Sequence, residues 1–348
     1  MTQSDRPALP PGETPPGETP PEELLLKEKA SAAMPLVATP LVNQSQPTTH
    51  FQVWAPAAKK VSVEIVSHDG QRENLIDKFR LRGDDNGVFS ISVSDAPVGT
   101  LYRYSIDNQP GRPDPRSMFQ PFGVHGPSQV VDHAQYQWQD ADWTGVDKRD
   151  LIIYELHIGS FTTAGTYEAA IRRLDELVGL GFTAVELLPL AQSPGRWNWG
   201  YDCVNFFAPR NTFGTPEQLK QFVDACHQRG LAVFSDVIYN HVGPEGNYLN
   251  VFGPYGSKKH GTPWGDALNF DGPGNQSVRQ FVTDNVLFWL DEYHFDGLRL
   301  DAVHYMFDDS PLHILAEIQQ RFRQSNSLLL TSRHTFNRLS QIRNPQFT

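Results

Sequence analysis

The chain has 348 residues, of which 40 are acidic and 29 basic, so its formal net charge at pH 7 is -11. Nucleic acids are bound mainly through basic surface that neutralises phosphates, so this composition argues against a nucleic-acid partner and favours a neutral substrate. The two cysteines, Cys203 and Cys226, are too few for a disulfide framework and lack metal-ligand spacing, which favours reduced thiols and a cytoplasmic protein.

The first segment, residues 1–45, is rich in proline and acidic residues and repeats the unit PPGET. Such a segment cannot bury enough apolar surface to offset the entropy lost on ordering, so we predict a disordered tail. A docking motif for a proline-recognising partner is the alternative. Neither a signal-peptide core nor a run of about 18 apolar residues is found, so neither export nor a membrane span is predicted.

Short runs of alternating apolar and polar residues follow in residues 46–110. They begin at Phe51, Val61, Gly87 and Thr100, and each is bounded by Gly, Pro, Asp or Asn. This period of two predicts a small all-β antiparallel sandwich. Residues 111–148 are rich in proline and glycine and show no periodicity, which predicts a connector laid over the next domain.

Strands alternate with helices in residues 149–331, which is typical of βα units around a parallel sheet. The predicted strands begin at Leu151, Thr183, Leu231 and Phe295, and the first is interpreted as buried on both faces. A fifth begins near residue 327. Since a closed (β/α)8 barrel has eight units, about four and a half units predict a partial TIM barrel within an α/β chain.

The helices of these units are predicted at residues 166–179, 216–229, 277–292 and 311–323. The second has the clearest boundaries, with Thr215 as N-cap, Pro216 at its first position and Gln218 completing a capping box. Residues 240–275 are predicted to be a long loop.

Two polar clusters stand where the third and fourth strands end, the edge at which reactive groups collect in parallel αβ folds. They comprise Asp236, Asn240 and His241, and then Arg299, Asp301 and His304. Arg299 and Asp301 are two apart on a strand and therefore share a face, where the guanidinium stabilises an ionised carboxylate. A retaining glycosidase uses such a carboxylate as its nucleophile. Taken singly, the aspartate could cap a helix, the arginine could be its ion-pair partner and His241 could be a core histidine.

The loop after the second strand contributes aromatic faces and polar edges suited to sugar rings, at Trp197, Trp199, Tyr201 and Asp202. The alternative is a loop held in place by buried tryptophans, which is as good an explanation for Trp197 but a poorer one for Tyr201 beside Asp202.

The stretches DVIYNH and GLRLDAVH resemble the first and second signature regions of glycoside hydrolase family 13, the α-amylase superfamily. The sandwich resembles the immunoglobulin-like early-set domain that precedes the barrel in glycogen-acting members. Four longer stretches are similar to the maltooligosyltrehalose trehalohydrolases of this family: YELHIGSFTTAGTY, WGYDCVNFFAP, NHVGPEGNYLNVFGPY and YHFDGLRLDAVHYMFDDSPLHIL. The similarity extends over residues 51–330.

This resemblance implies hydrolysis of the α-1,4 bond next to the trehalose end of maltooligosyltrehalose, releasing trehalose by a retaining mechanism without metal or organic cofactor. It makes Asp301 the nucleophile and Arg299 its orienting partner. The other expected substrate-binding residues are Asp236, Asn240, His241, His304, Tyr201, Asp202 and Trp199. A non-catalytic α-glucan-binding remnant and another family member, such as a glycogen branching or debranching enzyme, are the alternatives.

The sequence departs from the family at the fifth strand, where the family has the glutamate that serves as general acid. The strand here continues as LLLTSRHTF, and residues 331–348 contain no acidic residue. Glu317 lies in the middle of a predicted helix and is a poor replacement. We therefore predict a C-terminally truncated or frameshifted product with a divergent tail at residues 332–348 and little or no activity.

Overall fold

The computed structural model describes residues 36–42 and 44–324. Its first part is a β-sandwich of two antiparallel four-stranded sheets, ordered β1-β2-β6-β5 and β4-β3-β7-β8. The strands are β1 (Thr39–Leu41), β2 (Thr48–Trp54), β3 (Val61–His68), β4 (Glu73–Arg80), β5 (Arg82–Gly83), β6 (Val88–Ser94), β7 (Leu101–Ile106) and β8 (Ser128–Gln129). The rings of Phe51 and Tyr102 meet edge to face between the sheets, with centroids 5.0 Å apart.

The sandwich is larger than the sequence predicts. Strand β1 lies within residues 1–45, which were expected to form a disordered tail, and it pairs with β2. Strand β8 lies in the expected connector and pairs with β7. Strand β4 has no alternating pattern because it is an edge strand, and nearly all of its side chains are exposed. Residues 1–35 of the predicted tail, the predicted fifth strand and the divergent end lie outside the described residues.

The second part is a parallel sheet in the order β17-β13-β10-β9, formed by β9 (Ile153–Leu156), β10 (Ala184–Leu187), β13 (Ala232–Val237) and β17 (Gly297–Leu300). Its helices are α1 (Ile158–Phe161), α2 (Tyr167–Ile171), α3 (Leu174–Gly179), α4 (Pro216–His227), α5 (Leu249–Phe252), α6 (Asn275–Tyr293) and α7 (Ile314–Gln324). The four strands follow the chain order across the sheet, as the first half of a barrel requires.

Helix α4 begins as predicted. The Thr215 hydroxyl accepts a hydrogen bond from the backbone N–H of Gln218, whose side chain accepts one from the backbone N–H of Thr215. The helix predicted at residues 166–179 is interrupted between α2 and α3, where the chain makes a turn at Arg172. None of the described helices is long and apolar enough to cross a membrane.

The loops of the barrel half contain more regular structure than expected. Strands β11 (Ala191–Gln192) and β12 (Asn205–Pro209) form a hairpin, and β14 (His241–Val242), β15 (Gly256–Gly261) and β16 (Asp266–Leu268) form a small antiparallel sheet. This sheet and α5 occupy the segment predicted to be a long loop.

The parallel sheet has two different faces. Its helix-covered face contributes Val185, Leu187 and Val233 to the main core, which is continuous with the sandwich core. The opposite face carries a small cluster formed by Ala184, Ala232 and Phe234 against Trp143, Val146 and Leu151. Strand β9 was predicted to be buried on both faces, and this is wrong, since Ile153 is 44% exposed.

Candidate active site

Two aspartates and an arginine meet at the carboxyl-terminal edge of the parallel sheet. Asp236 on β13 is in register with Arg299 on β17, and Asp301 follows directly after β17. One guanidinium nitrogen, Nη1 of Arg299, donates to Oδ2 of Asp236 at 2.6 Å and to Oδ1 of Asp301 at 2.8 Å. The predicted pairing of Arg299 with Asp301 is therefore present, and Arg299 also joins Asp236 to it.

The two carboxyl groups differ in exposure. The Asp236 side chain is 2% exposed, whereas that of Asp301 is 21% exposed. Burial raises the pKa of Asp236 to about 6, although hydrogen bonds from Arg299 and Tyr201 act in the opposite direction. Burial disfavours the charge of Arg299, but its bond to Asp236 and the charges of both aspartates outweigh burial and raise the pKa of the guanidinium.

Asn240 and His241 fix the backbone that carries Asp301. The Asn240 amide nitrogen donates to the carbonyl oxygen of Asp301 at 2.9 Å, and the Asn240 amide oxygen accepts from Nδ1 of His241. Burial lowers the pKa of His241, although the charges of Asp202 and Asp301 oppose it, so a neutral imidazole is favoured. Its Nε2 is buried and makes no direct hydrogen bond with the described residues.

The segment between β11 and β12, residues 193–204, forms a wall of the site and is called the aromatic loop below. The Tyr201 hydroxyl donates to Oδ2 of Asp236 at 3.0 Å, and Asn198 donates to Oδ2 of Asp202 at 3.0 Å. Burial raises the pKa of Tyr201, and the adjacent Asp236 charge adds to the effect. Trp199 is 65% exposed and does not stack on another ring among the described residues.

Another aromatic residue, which the sequence did not indicate, lies beside His241. Trp264, between β15 and β16, lies with its ring centroid 5.5 Å from that of His241 and 4.8 Å from that of Tyr305. It is 45% exposed. The predicted residue His304 is exposed and its ring lies 4.5 Å from that of Tyr305. Only the fold brings Trp264 to the site, although a tryptophan in a glycine-bounded loop was a signal available in the sequence.

Another carboxyl group lies on the same face of the sheet as Asp236 and Arg299. Glu186 on β10 points from the same face of the sheet, and burial raises its pKa although the Arg299 charge lowers it. Glu317 on α7, considered above as a replacement acid, is bonded by Nε of Arg279 at 2.7 Å and is thus engaged in an ion pair.

Among residues 36–42 and 44–324, one group of side chains could hold a metal ion. Ligand atoms of His260, Asp271 and Asp309 lie within 4.8 Å of one another. The ammonium group of Lys259 already contacts both carboxylates, at 3.1 Å for Asp271. A cation of the chain itself therefore supplies the positive charge at this position.

Comparisons with known proteins agree with this architecture. Residues 36–123 match carbohydrate-binding module 48, the isoamylase N-terminal domain, and residues 135–259 match the catalytic domain of alpha amylase. A malto-oligosyltrehalose trehalohydrolase from Saccharolobus solfataricus is 45% identical over 268 residues, which cover 77% of this chain and 46% of the relative.

Two solved structures resemble the chain. A provisionally named α-amylase from Salmonella typhimurium has a TM-score of 0.74 at 36% identity and covers 83% of this chain and 47% of that chain. A pullulanase complexed with maltotetraose, from an Anoxybacillus species, has a TM-score of 0.72 at 25% identity and covers 84% of this chain and 48% of that one. The chain thus spans about half the length of these relatives. The matches confirm the predicted fold class.

Proposed function

Because the chain belongs to the α-amylase family of glycoside hydrolases, we propose that its site binds an α-1,4-glucan and that Asp301 is the nucleophile. The observation that carries this proposal is the single Arg299 nitrogen that bonds both Asp301 and Asp236. A guanidinium in this position fixes the orientation of the Asp301 carboxylate, as attack on an anomeric carbon requires.

The other residues of the site act on the glucan in distinct ways. Trp199, Tyr201 and Trp264 offer flat faces for sugar rings, and Asp202 and His304 offer polar groups for ring hydroxyls. We assign hydrogen bonds with ring hydroxyls to Asp236 and His241, while Asn240 holds the Asp301 backbone. A neutral substrate suits this arrangement, because hydroxyl groups can satisfy the mixed donors and acceptors.

The reaction we propose for the whole protein is hydrolysis of the α-1,4 bond next to the trehalose end of maltooligosyltrehalose. Asp301 attacks the anomeric carbon as its bond to the leaving oxygen breaks, and the general-acid glutamate that the family has at its fifth strand protonates that oxygen. Water, deprotonated by the same glutamate, then cleaves the glycosyl ester with retention of configuration. The identity to a malto-oligosyltrehalose trehalohydrolase supports this substrate. The prediction of little or no activity, which rests on the absence of an acidic residue in residues 331–348, stays a prediction.

The role of Asp301 can be tested without a general acid by using a 5-fluoroglycosyl fluoride. Fluoride leaves without protonation, so the Asp301 oxygen attacks C1, the C1–F bond breaks and the glycosyl ester accumulates. Peptide mass spectrometry should find the added glycosyl mass on Asp301 in the native chain and in the control Asp309→Asn. Asp301→Asn should remain unlabelled, and a label on another residue would contradict the assignment.

The substrate can be tested separately with maltooligosyltrehalose and with linear maltooligosaccharides. Release of trehalose supports the proposed reaction. Formation of α-1,6 branches would identify a branching enzyme instead, and binding of maltotetraose without ester formation or product would identify a glucan-binding protein.

A further inference from the structure

Arg210 is a buried guanidinium beneath the aromatic loop, at the end of β12. Its side chain is 0% exposed. Nη2 donates to the carbonyl oxygen of Gly195 at 2.7 Å, and Nη1 donates to the carbonyl oxygen of Asn198. Both acceptors belong to the aromatic loop, so the guanidinium of Arg210 is hydrogen-bonded to this loop at two points. The planar fork of arginine suits such a double contact better than the point charge of lysine.

The environment of Arg210 is unusual for a buried charge. No carboxylate within residues 36–42 and 44–324 lies within ion-pair distance of it, and its Nε has no hydrogen-bond partner there. Phe213 packs against the guanidinium, whose central carbon is 4.9 Å from the ring centroid. Removing a cation from water without a counter-ion opposes folding. Stability alone therefore does not account for an arginine at this position.

Asn198 connects Arg210 to the residues of the site. The side-chain oxygen of Asn198 accepts from the backbone N–H of Gly200 at 2.7 Å, and its nitrogen donates to Asp202 at 3.0 Å. Gly200 has a φ of +99°, and a Cβ there would lie 2.3 Å from the carbonyl oxygen of Pro189. The backbone therefore has little freedom between Asn198 and Tyr201, which bonds Asp236.

We propose that Arg210 is a positioning residue that holds the aromatic loop in the conformation in which Tyr201 and Asp202 meet the glucan. It acts through the carbonyl groups of Gly195 and Asn198 and does not touch the substrate. The effect on glucan affinity rests on the proposed function, whereas the effect on the loop does not.

The loop can be tested in the full chain by hydrogen–deuterium exchange without any glucan. In Arg210→Met, the amide of Gly200 should exchange at least about tenfold faster than in the native chain, because loss of the two carbonyl contacts lowers the opening free energy. The matched control is Arg116→Met, which removes a similarly buried arginine that bonds Asp284 and packs on Phe207 of β12 but does not bond the aromatic loop. Equal protection of the loop in Arg210→Met and the native chain would overturn the proposal.

Affinity for maltotetraose, measured by calorimetry, separates the two proposals. We expect Kd to rise about tenfold in Arg210→Met and to stay unchanged in Arg116→Met. If the native chain does not bind maltotetraose, the proposed function fails while the exchange experiment still decides the role of Arg210. If the native chain binds and Arg210→Met binds equally well, the positioning role is wrong.

The melting temperature distinguishes a displaced loop from a general loss of stability. Methionine removes the uncompensated charge and keeps most of the apolar volume, so Arg210→Met should melt within a few degrees of the native chain. If Arg210→Met does not fold, Arg210→Lys is the second variant. Lysine keeps the positive charge but cannot reproduce both carbonyl contacts of the arginine fork, so faster exchange at Gly200 is still expected. Native protection in Arg210→Lys would overturn the proposal.

Discussion

The buried Asp236 carboxyl group should make the free energy of unfolding fall as the pH rises. Replacing Asp236 by asparagine should remove this pH dependence. Burial raises the pKa of this carboxyl from 3.8 to about 6, even with Arg299 and Tyr201 bonded to it. A shift of about two pH units corresponds to roughly 3 kcal/mol of free energy of unfolding. The Asp236 side chain is 2% exposed, so solvent screens little of this contribution.

The sign follows from proton binding. Between about pH 4 and 6 the folded chain binds more protons at Asp236 than the unfolded chain does, so its stability falls as the pH rises through this window. Asparagine does not titrate. The stability of Asp236→Asn relative to the native chain should therefore increase by roughly 3 kcal/mol from pH 4 to pH 7.

Thermal denaturation of both proteins across this range measures the effect. The difference in melting temperature should change by about 6 °C in favour of Asp236→Asn, since 1 kcal/mol moves the midpoint by about 2 °C for a chain of this size. Asp77→Asn, on the exposed edge strand β4, is the control for the substitution itself. A difference that is constant with pH, or that grows as the pH falls, would refute the reasoning.

Two other substitutions test separate features of the fold. Thr215→Ala removes the side-chain cap that Gln218 completes and should lower the free energy of unfolding by about 1 kcal/mol, measured by thermal denaturation; no change would show that the cap is dispensable. Burial opposes the charge of His227, but bonds to Asp296 and Asp140 outweigh it and raise its pKa. The stabilisation of the fold by charged His227 is therefore fully present below the pKa of the unfolded chain, near 6.5. It is lost as the pH rises through the higher pKa of His227 in the folded chain. His227→Gln should consequently lower the melting temperature more at pH 6 than at pH 9, and the reverse order would contradict this assignment.

The sequence predicted features that depend on neighbours along the chain. The capping box at Thr215 and the shared face of Arg299 and Asp301 follow from local spacing, and the structure contains both. Strand β4 was missed because an exposed edge strand has no apolar alternation. The contact of Trp264 with His241 could not be predicted, because it joins two loops that only the folded barrel half brings together.

The residues of the site likewise differ in what fixes their positions. Asp236 and Arg299 project from paired strands, so their geometry is set by the register of the sheet and needs little further support. Tyr201 and Asp202 stand on a loop, which has no ladder of its own to hold it. A loop that must place a hydroxyl 3.0 Å from Asp236 needs a contact from the rigid scaffold. The buried guanidinium of Arg210 supplies such a contact. Its desolvation lowers the stability of the fold, and the fixed position of the loop is what the protein gains in exchange.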